Sequence, residues 1–348
     1  MWNAREALTG KDTVYEEGHG SLYRFHRSGV EGGPRASTDG SHVPVLVVPS
    51  LVNRWYVMDL REGQSLVAEL TNGTPWSTYL WDWGVPEDED RWVSWDDLLA
   101  TLDRAVRHVL RDSGAEKVVL AGYCMGATLA AIHAALHPSR VQGFVNLFGP
   151  IDFAYAGRLG TMVDARWFDP FAVTAAGNVP GSQLQAGFLA MSPTTPLRKW
   201  FSLASQMWQP EAIESFVALE SWANDNVPFP AGAYATYIKE LYQENRLVAG
   251  AHWASGRRVD LSRITCPLLT VVAQRDDICP ARAALGLADV ASSPVQDVVS
   301  VPGGHVGAMV GRAARTELYP KVKDWLFRHA AKTGAQPSRL ALLPESRL

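Results

Sequence analysis

The chain has 348 residues, 47% of them hydrophobic and 20% charged, with a formal net charge of -4. That is enough apolar material for a large core, in one big domain or two smaller ones. No basic cluster is present to follow phosphates, so nucleic acid is not an expected partner. Three cysteines, Cys124, Cys266 and Cys279, cannot build a disulfide framework. No apolar run reaches the roughly 18 residues of a membrane span, and Met1-Trp2-Asn3-Ala4-Arg5 does not open a signal peptide. A cytoplasmic protein is expected. Thirteen tryptophans are unusual. Core packing accounts for them most simply, and a wide apolar pocket is the other use.

In chain order, residues 1–30 alternate weakly and predict entry strands around Ser21–Phe25. Glu31 to His42 is rich in Gly, Ser and Pro and reads as a loop. Val43–Val48 is a continuous apolar run, the pattern of a strand buried on both faces. Ser77–Trp83 predicts a second strand, closed by Gly84 and Pro86, and Glu87–Asp90 a solvated acidic loop. Trp95–Ser113 carries apolar residues at helical spacing behind Ser94, a suitable N-cap. Strands follow at Val118–Ala121 and Val141–Leu147, with a helix at Ala127–Leu136 between them. Strand and helix alternate, which argues for a mostly parallel sheet covered on both faces. From Asp152 to about Ser262 the alternation stops, and the chain reads as an inserted helical cap. It resumes at Pro267–Ala273 and Val295–Val301 and closes on an amphipathic helix, Thr316–Ala330. The organisation expected is core over 1–152, cap over 153–262, core again over 263–330, and a loose tail over 331–348.

Gly122-Tyr123-Cys124-Met125-Gly126 sits between the Val118 strand and the following helix. This is the nucleophile elbow G-x-S-x-G with cysteine in place of serine, the hallmark of an α/β-hydrolase fold. The flanking glycines are needed because a Cβ on either side would collide with strand or helix. In that fold the acid and the histidine follow the nucleophile on loops after late strands. Asp276, four residues before Pro280, is the expected acid, in preference to its neighbour Asp277, and Gly303-Gly304-His305 supplies the histidine. His305 would take the thiol proton and Asp276 would orient the imidazole. The expected oxyanion donors are the backbone N–H of Met125 and that of Val52, with Leu51 the second candidate in that loop. A lone G-x-C-x-G could also be a tight turn around an inert buried cysteine, but here acid and histidine follow in the right order. His133, His137, His252 and His329 have no partner motif and read as core or surface residues; Cys266 and Cys279 read as structural. No HExxH, CxxC or Walker pattern occurs, so neither a metal nor a nucleotide cofactor is expected.

Several segments resemble the polyhydroxyalkanoate synthases. They are Val48-Pro49-Ser50-Leu51-Val52-Asn53-Arg54-Trp55-Tyr56 with Met58-Asp59-Leu60, Tyr79–Gly84, Gly122–Thr128, Trp222-Ala223-Asn224-Asp225 with Tyr242–Asn245, and Pro302–Gly307. The likeness spans about Val43 to Arg328. Ala127 stands where that family commonly has a second glycine, and the Glu31–His42 loop looks longer than in its short members. The resemblance implies polymerisation of (R)-3-hydroxyacyl-CoA with release of CoA. Cys124 would carry the growing polyester as a thioester, and Asp276 would help activate the 3-hydroxyl of the next monomer. It further implies a homodimer through the cap, association with the polyester granule surface, and a second, non-catalytic synthase subunit. Two other readings compete. One is a thioesterase or hydrolase on the same scaffold, which cysteine argues against mildly. The other is a non-catalytic granule or subunit protein, which has no need of the three groups in order.

Overall fold

The computed structural model describes residues 8–27, 42–191 and 209–331. Eight strands form one sheet: β1 (Lys11–Glu17), β2 (Gly20–Phe25), β3 (Val45–Val48), β4 (Thr78–Asp82), β5 (Val118–Tyr123), β6 (Val141–Leu147), β7 (Leu268–Ala273) and β8 (Gln296–Val301). Their order across the sheet is β1-β2-β4-β3-β5-β6-β7-β8. β1, β2 and β4 pair antiparallel, and every pair from β4 to β8 is parallel.

The central strands read as unbroken apolar runs because helices cover both faces. On β5, Val118 and Leu120 join one core cluster, while Val119, Ala121 and Tyr123 join the other. β3 splits the same way, with Leu46 and Val48 on one side and Val45 and Val47 on the other. Helices α2 (Trp95–Ser113) and α3 (Met125–Leu136) pack on the first face. On the second lie α1 (Leu66–Thr71) and, at the end of the described chain, Tyr319–His329, which buries Val322, Trp325 and Leu326. Both edges differ from this centre. Among the described residues β8 pairs only with β7, and Gln296, Val298 and Ser300 along it are exposed.

The helix predicted over Trp95–Ser113 has those bounds. Ser94 accepts a hydrogen bond from the Asp97 amide at 3.1 Å and the Asp97 side chain accepts from the Ser94 amide at 2.8 Å, a capping box. Gly114 ends it at φ 68°. The Val141–Leu147 strand also has its predicted bounds. β1 is an addition, since its alternation in sequence is weak. The acidic stretch is mostly exposed, as expected, but forms a short 3₁₀ turn over Asp88–Trp92 instead of an irregular loop. The final helix is shorter than predicted, because Ala314–Leu318 is wound as a π turn ahead of it. The Glu31–Ser41 part of the predicted loop and the tail from Lys332 lie outside the described residues.

Between β6 and β7 the main sheet gains no strand among the described residues. That segment includes α4 (Gly181–Met191), α5 (Pro210–Asn224) and Ala231–Thr236, which continues as a π turn over Tyr237–Gln243. A two-residue hairpin, Trp253–Ala254 against Arg257–Arg258, precedes the return to the sheet. The end of α5 attaches to the loop after β3. Trp222 Nε1 donates to the Arg54 carbonyl at 2.8 Å, Tyr56 Oη donates to Asp225 at 2.8 Å, and Asn53 forms a β-bridge with Asn226.

The turn after β5 is where space is tightest. A Cβ on Gly126 would stand 2.2 Å from the Val48 carbonyl oxygen and 2.4 Å from that of Pro49. Gly126→Ala is expected to destabilise the fold by about 1–3 kcal/mol, because backbone must move to admit the methyl. Gly307, with nothing within 4 Å of its added Cβ, is the control. Gly307→Ala should be neutral or stabilising in the same urea titration.

Candidate active site

Cys124 follows the last residue of β5 and caps α3, at φ 52° and ψ -127°. Such a conformation is costly for a residue with a side chain and persists only where the surroundings impose it. Here the Cys124 amide donates to the Leu147 carbonyl at 3.0 Å, and the Ala127 amide donates to the Cys124 carbonyl at 3.0 Å. The helix and strand approach so closely that a Cβ on Gly122 would lie 2.3 Å from Ala127 Cα. The turn therefore lifts the cysteine out of the sheet, partly exposed, while its neighbours Tyr123 and Met125 are buried.

Asp276 and His305 come from the loops after β7 and β8. Those loops are tied to each other: the Gln274 amide donates to the Val301 carbonyl at 3.0 Å and the Arg275 amide to that of Gly303 at 2.9 Å. His305 Nδ1 lies 2.7 Å from Asp276 Oδ2, and both side chains are buried. The other carboxylate oxygen accepts from the amides of Ile278, at 2.9 Å, and Cys279, at 2.8 Å. A carboxylate can only accept, so this pair fixes the proton on Nδ1 and leaves Nε2 for exchange. Nε2 is buried without a well-formed hydrogen bond. Burial alone would push the imidazole down. The charges of Cys124 and then Asp276 outweigh it, and His305 is raised to about 10. Asp277, the less favoured candidate, is exposed and makes no contact with the imidazole comparable to that of Asp276.

Among the described residues, Cys124 and His305 open into a cavity of about 450 Å³. Val52 lines it as well, while Met125 begins α3 directly after the cysteine. The Val52 amide donates to Ser50 Oγ at 3.3 Å, a long bond that leaves it weakly engaged. Leu51 is buried in the core beneath and does not line the cavity. The opposite wall comes from α4 and α5, with Phe188, Leu189, Met191, Leu219 and Trp222. For Phe188, Leu189, Met191 and Leu219 the sequence carries no signal, because apolar spacing does not say which apolar face meets Cys124. The Trp222–Asp225 motif was the available signal, and Trp222 is the tryptophan that lines the cavity. Trp76, Trp81, Trp95 and Trp325 are core.

The other two cysteines are held as thiols. Burial, followed by the charge of Asp276, raises Cys279 well above an ordinary thiol, and burial pushes Cys266 up to about 12. Cys279 is buried, and Cys266, partly exposed like Cys124, does not line the cavity. His133 and His137, which have no partner motif in sequence, are brought together with Asp103 of α2.

The cause of the His305 shift makes it testable. Removing the Cys124 charge leaves burial, which lowers, opposed by Asp276 alone. In Cys124→Ala the His305 titration followed by NMR of its ring protons is expected to fall from about 10 toward the ordinary 6.5. Asp276→Asn should lower it as well. An unchanged midpoint in both would mean that neither group faces the ring.

Comparison with known proteins agrees with this geometry. Residues 71–311 match the sequence model of the α/β hydrolase fold family. An esterase from Thermogutta terrifontis superposes with a TM-score of 0.51 at 16% identity, covering 93% of this chain and 100% of that one. A carboxylesterase structure from Nitrososphaera gargenis gives 0.52 at 12% identity, with 91% and 99% covered. Likeness at that level of identity establishes the fold alone. Sequence relatives are more specific. The poly(3-hydroxyalkanoate) polymerase subunit PhaC of Allochromatium vinosum is 33% identical over 94% of this chain and 91% of its own length. That of Synechocystis is 33% identical over 92% of this chain and 84% of its own. The elbow, the late-strand acid and histidine, and this similarity along nearly the whole length lead to one assignment: the chain has the α/β-hydrolase fold and belongs to the poly(3-hydroxyalkanoate) polymerase family.

Proposed function

We propose that this protein is an acyltransferase that polymerises (R)-3-hydroxyacyl-CoA into polyhydroxyalkanoate, with the acyl chain carried on Cys124. The observation that carries the reading is a cysteine, in place of the hydrolase serine, at the elbow of a chain from the polymerase family. His305 Nε2 accepts the Sγ proton, and the thiolate attacks the carbonyl carbon of the acyl-CoA. The C–S bond to CoA breaks, CoA leaves as a thiol with the proton returned through His305, and a new thioester remains on Cys124. The 3-hydroxyl of a second acyl-CoA then gives its proton to His305 and attacks the Cys124 thioester carbonyl; the C–S bond to Cys124 breaks, Sγ takes the proton back from His305, and the ester-linked chain, now on CoA, can acylate Cys124 again. Asp276 stabilises the imidazolium in each half. The amides of Met125 and Val52 are the proposed oxyanion donors, worth roughly 3 kcal/mol each in comparable sites. For Val52 this requires exchange of its long bond to Ser50 for the oxyanion. The chemistry calls for no cofactor and no metal.

Thiolate fits a relay better than alkoxide. Transfer from CoA to cysteine exchanges one thioester for another and is nearly isoenergetic, whereas a hydrolase gains nothing from that step. The segment 153–262 would act as a cap that shapes the acyl channel, a role supported by the α4 and α5 side chains in the cavity wall. Large apolar side chains on the exterior of that segment, among them Trp167, Phe171 and Ile213, are exposed. They offer surface for the polyester granule, a homodimer contact or a second synthase subunit; the last is expected because these relatives are themselves named as subunits. No described helix is long and apolar enough to cross a membrane.

The decisive assay incubates the purified protein with (R)-3-hydroxybutyryl-CoA, follows CoA release with a thiol reagent and identifies the acyl product. Insoluble polyester is expected, with the partner subunit added if the chain alone is silent. Free 3-hydroxybutyrate as the product would establish the thioesterase reading instead. Cys124→Ser should lower CoA release by roughly 10²-fold or more, since a serine hydroxyl is far harder to ionise than a thiol. Cys279→Ala should keep most of the activity, because its thiol is buried and held protonated.

A further inference from the structure

Below the sheet's catalytic end, a second group of titratable side chains surrounds a cavity of about 210 Å³, lined by Asp103, Arg104, Arg107, His133, His137 and Arg257 among others. It lies at the C-terminal end of α3. The nucleophile caps the other end of this 12-residue helix, about 18 Å away at ~1.5 Å per residue. The cavity belongs to a different place from the acyl site and shares no lining residue with it.

Its donor atoms look at first like a metal triad. His133 and His137 are one helical turn apart on α3, and their ring nitrogens and the Asp103 carboxylate all lie within 4.8 Å of one another. The charges argue the other way. Asp103 Oδ1 is bound by Arg140 at 2.6 Å and Oδ2 by Arg107 at 2.8 Å. Arg257 points at the same place, 3.5 Å from His137 Nε2 and 3.4 Å from the Leu136 carbonyl, and has no carboxylate partner among the described residues. Arg104 is neutralised by Glu17. Three arginines therefore face a single carboxylate, and a dication would have to displace two of them. The positive surroundings and burial together hold the imidazoles neutral, and burial lowers His133 to about 3. His133 is nevertheless buried with Nε2 lacking any hydrogen-bond partner. A buried polar nitrogen left unpaired beside surplus positive charge is satisfied by an anion that accepts from it.

We infer that this cavity is a binding site for a phosphate-type oxyanion, free or as a phosphomonoester, held by Arg257, Arg107 and His133. The three donors come from the hairpin, α2 and α3, three separate directions. That convergence suits a tetrahedral oxyanion, and guanidinium groups are the side chains best matched to phosphate oxygens. The volume holds roughly seven waters at ~30 Å³ each, room for a phosphate with part of its hydration shell. A bound anion would join the Arg257 hairpin, which ends the segment between β6 and β7, to α2 and α3 of the core.

The test is calorimetric titration of the full chain with inorganic phosphate at constant ionic strength, with chloride as the blank and adenosine 3′-phosphate as a second ligand. One saturable site per chain is expected. Tighter binding of the nucleotide would identify a phosphomonoester as the natural ligand, and equal or weaker binding would identify free phosphate. Arg257→Gln, an exposed substitution, should weaken binding about tenfold or more through loss of a charge-assisted bond. Arg258→Gln, next in the hairpin and outside the cavity, should leave binding unchanged. No saturable phosphate binding, or an equal loss in Arg258→Gln, overturns the inference. So does stoichiometric Zn²⁺ binding in place of phosphate that is lost in His137→Gln.

Discussion

A side chain held at φ 52° and ψ -127° costs of order 1–3 kcal/mol relative to a relaxed backbone, and Cys124 is held there. The strain is sustained by packing on every side of the turn. Gly122 meets the backbone of Ala127, Gly126 meets the carbonyls of Val48 and Pro49, and Gly149 meets the Cys124 carbonyl and the Ala127 methyl. Asn146 clamps the strand end by bonding Gly149 in both directions. The loop after β3, the start of α3 and the end of β6 are all placed by this one turn. The nucleophile's exposure, the direction of α3 and the position of the Val52 loop follow from it together.

Around the turn, the electrostatic design is simple. A carboxylate that two backbone amides already stabilise holds an imidazole by one nitrogen, inside an apolar setting that includes Tyr123 and Phe148. Low local polarity would ordinarily discharge a histidine. The charge of Cys124, once ionised, and that of Asp276 reverse that, so the ring is ready to stay protonated once it has taken a proton. The cluster at the far end of α3 shows the opposite outcome: the same residue type, similarly buried, is lowered by burial, and its neighbours His137, Arg140 and Arg107 add to that shift instead of offsetting it. Charge sign, not burial, separates the two histidines.

Much of this was legible in the sequence where one local pattern decides the matter. The glycine spacing around Cys124 permits only a tight strand-to-helix turn, and continuous apolar runs marked β3, β5 and β6 because both their faces are covered. Apolar spacing and the Ser94 N-cap marked α2. Chain order after late strands pointed to Asp276 and His305, whose side chains lie 2.7 Å apart. What stayed hidden depends on contacts between distant segments. Asp103 meets His133 and His137 from another helix, with no local motif to announce it. The α4 and α5 side chains around the cavity lack a period that distinguishes a channel wall from core. The hydroxyl of Ser50 competes for the Val52 amide, a rivalry visible only in three dimensions.

The proposed catalytic groups do not share equally in the sheet's protection. Cys124 leaves β5, which is buried along its whole length between β3 and β6. His305 leaves β8, an edge strand with one neighbour and alternate residues open to water. Amides on such an edge open by local fraying well before a central strand does. On warming, the imidazole would lose its place while the nucleophile elbow was still intact, so inactivation would run ahead of unfolding. On this reading the sheet's rim, rather than its core, would set the temperature at which the chemistry stops.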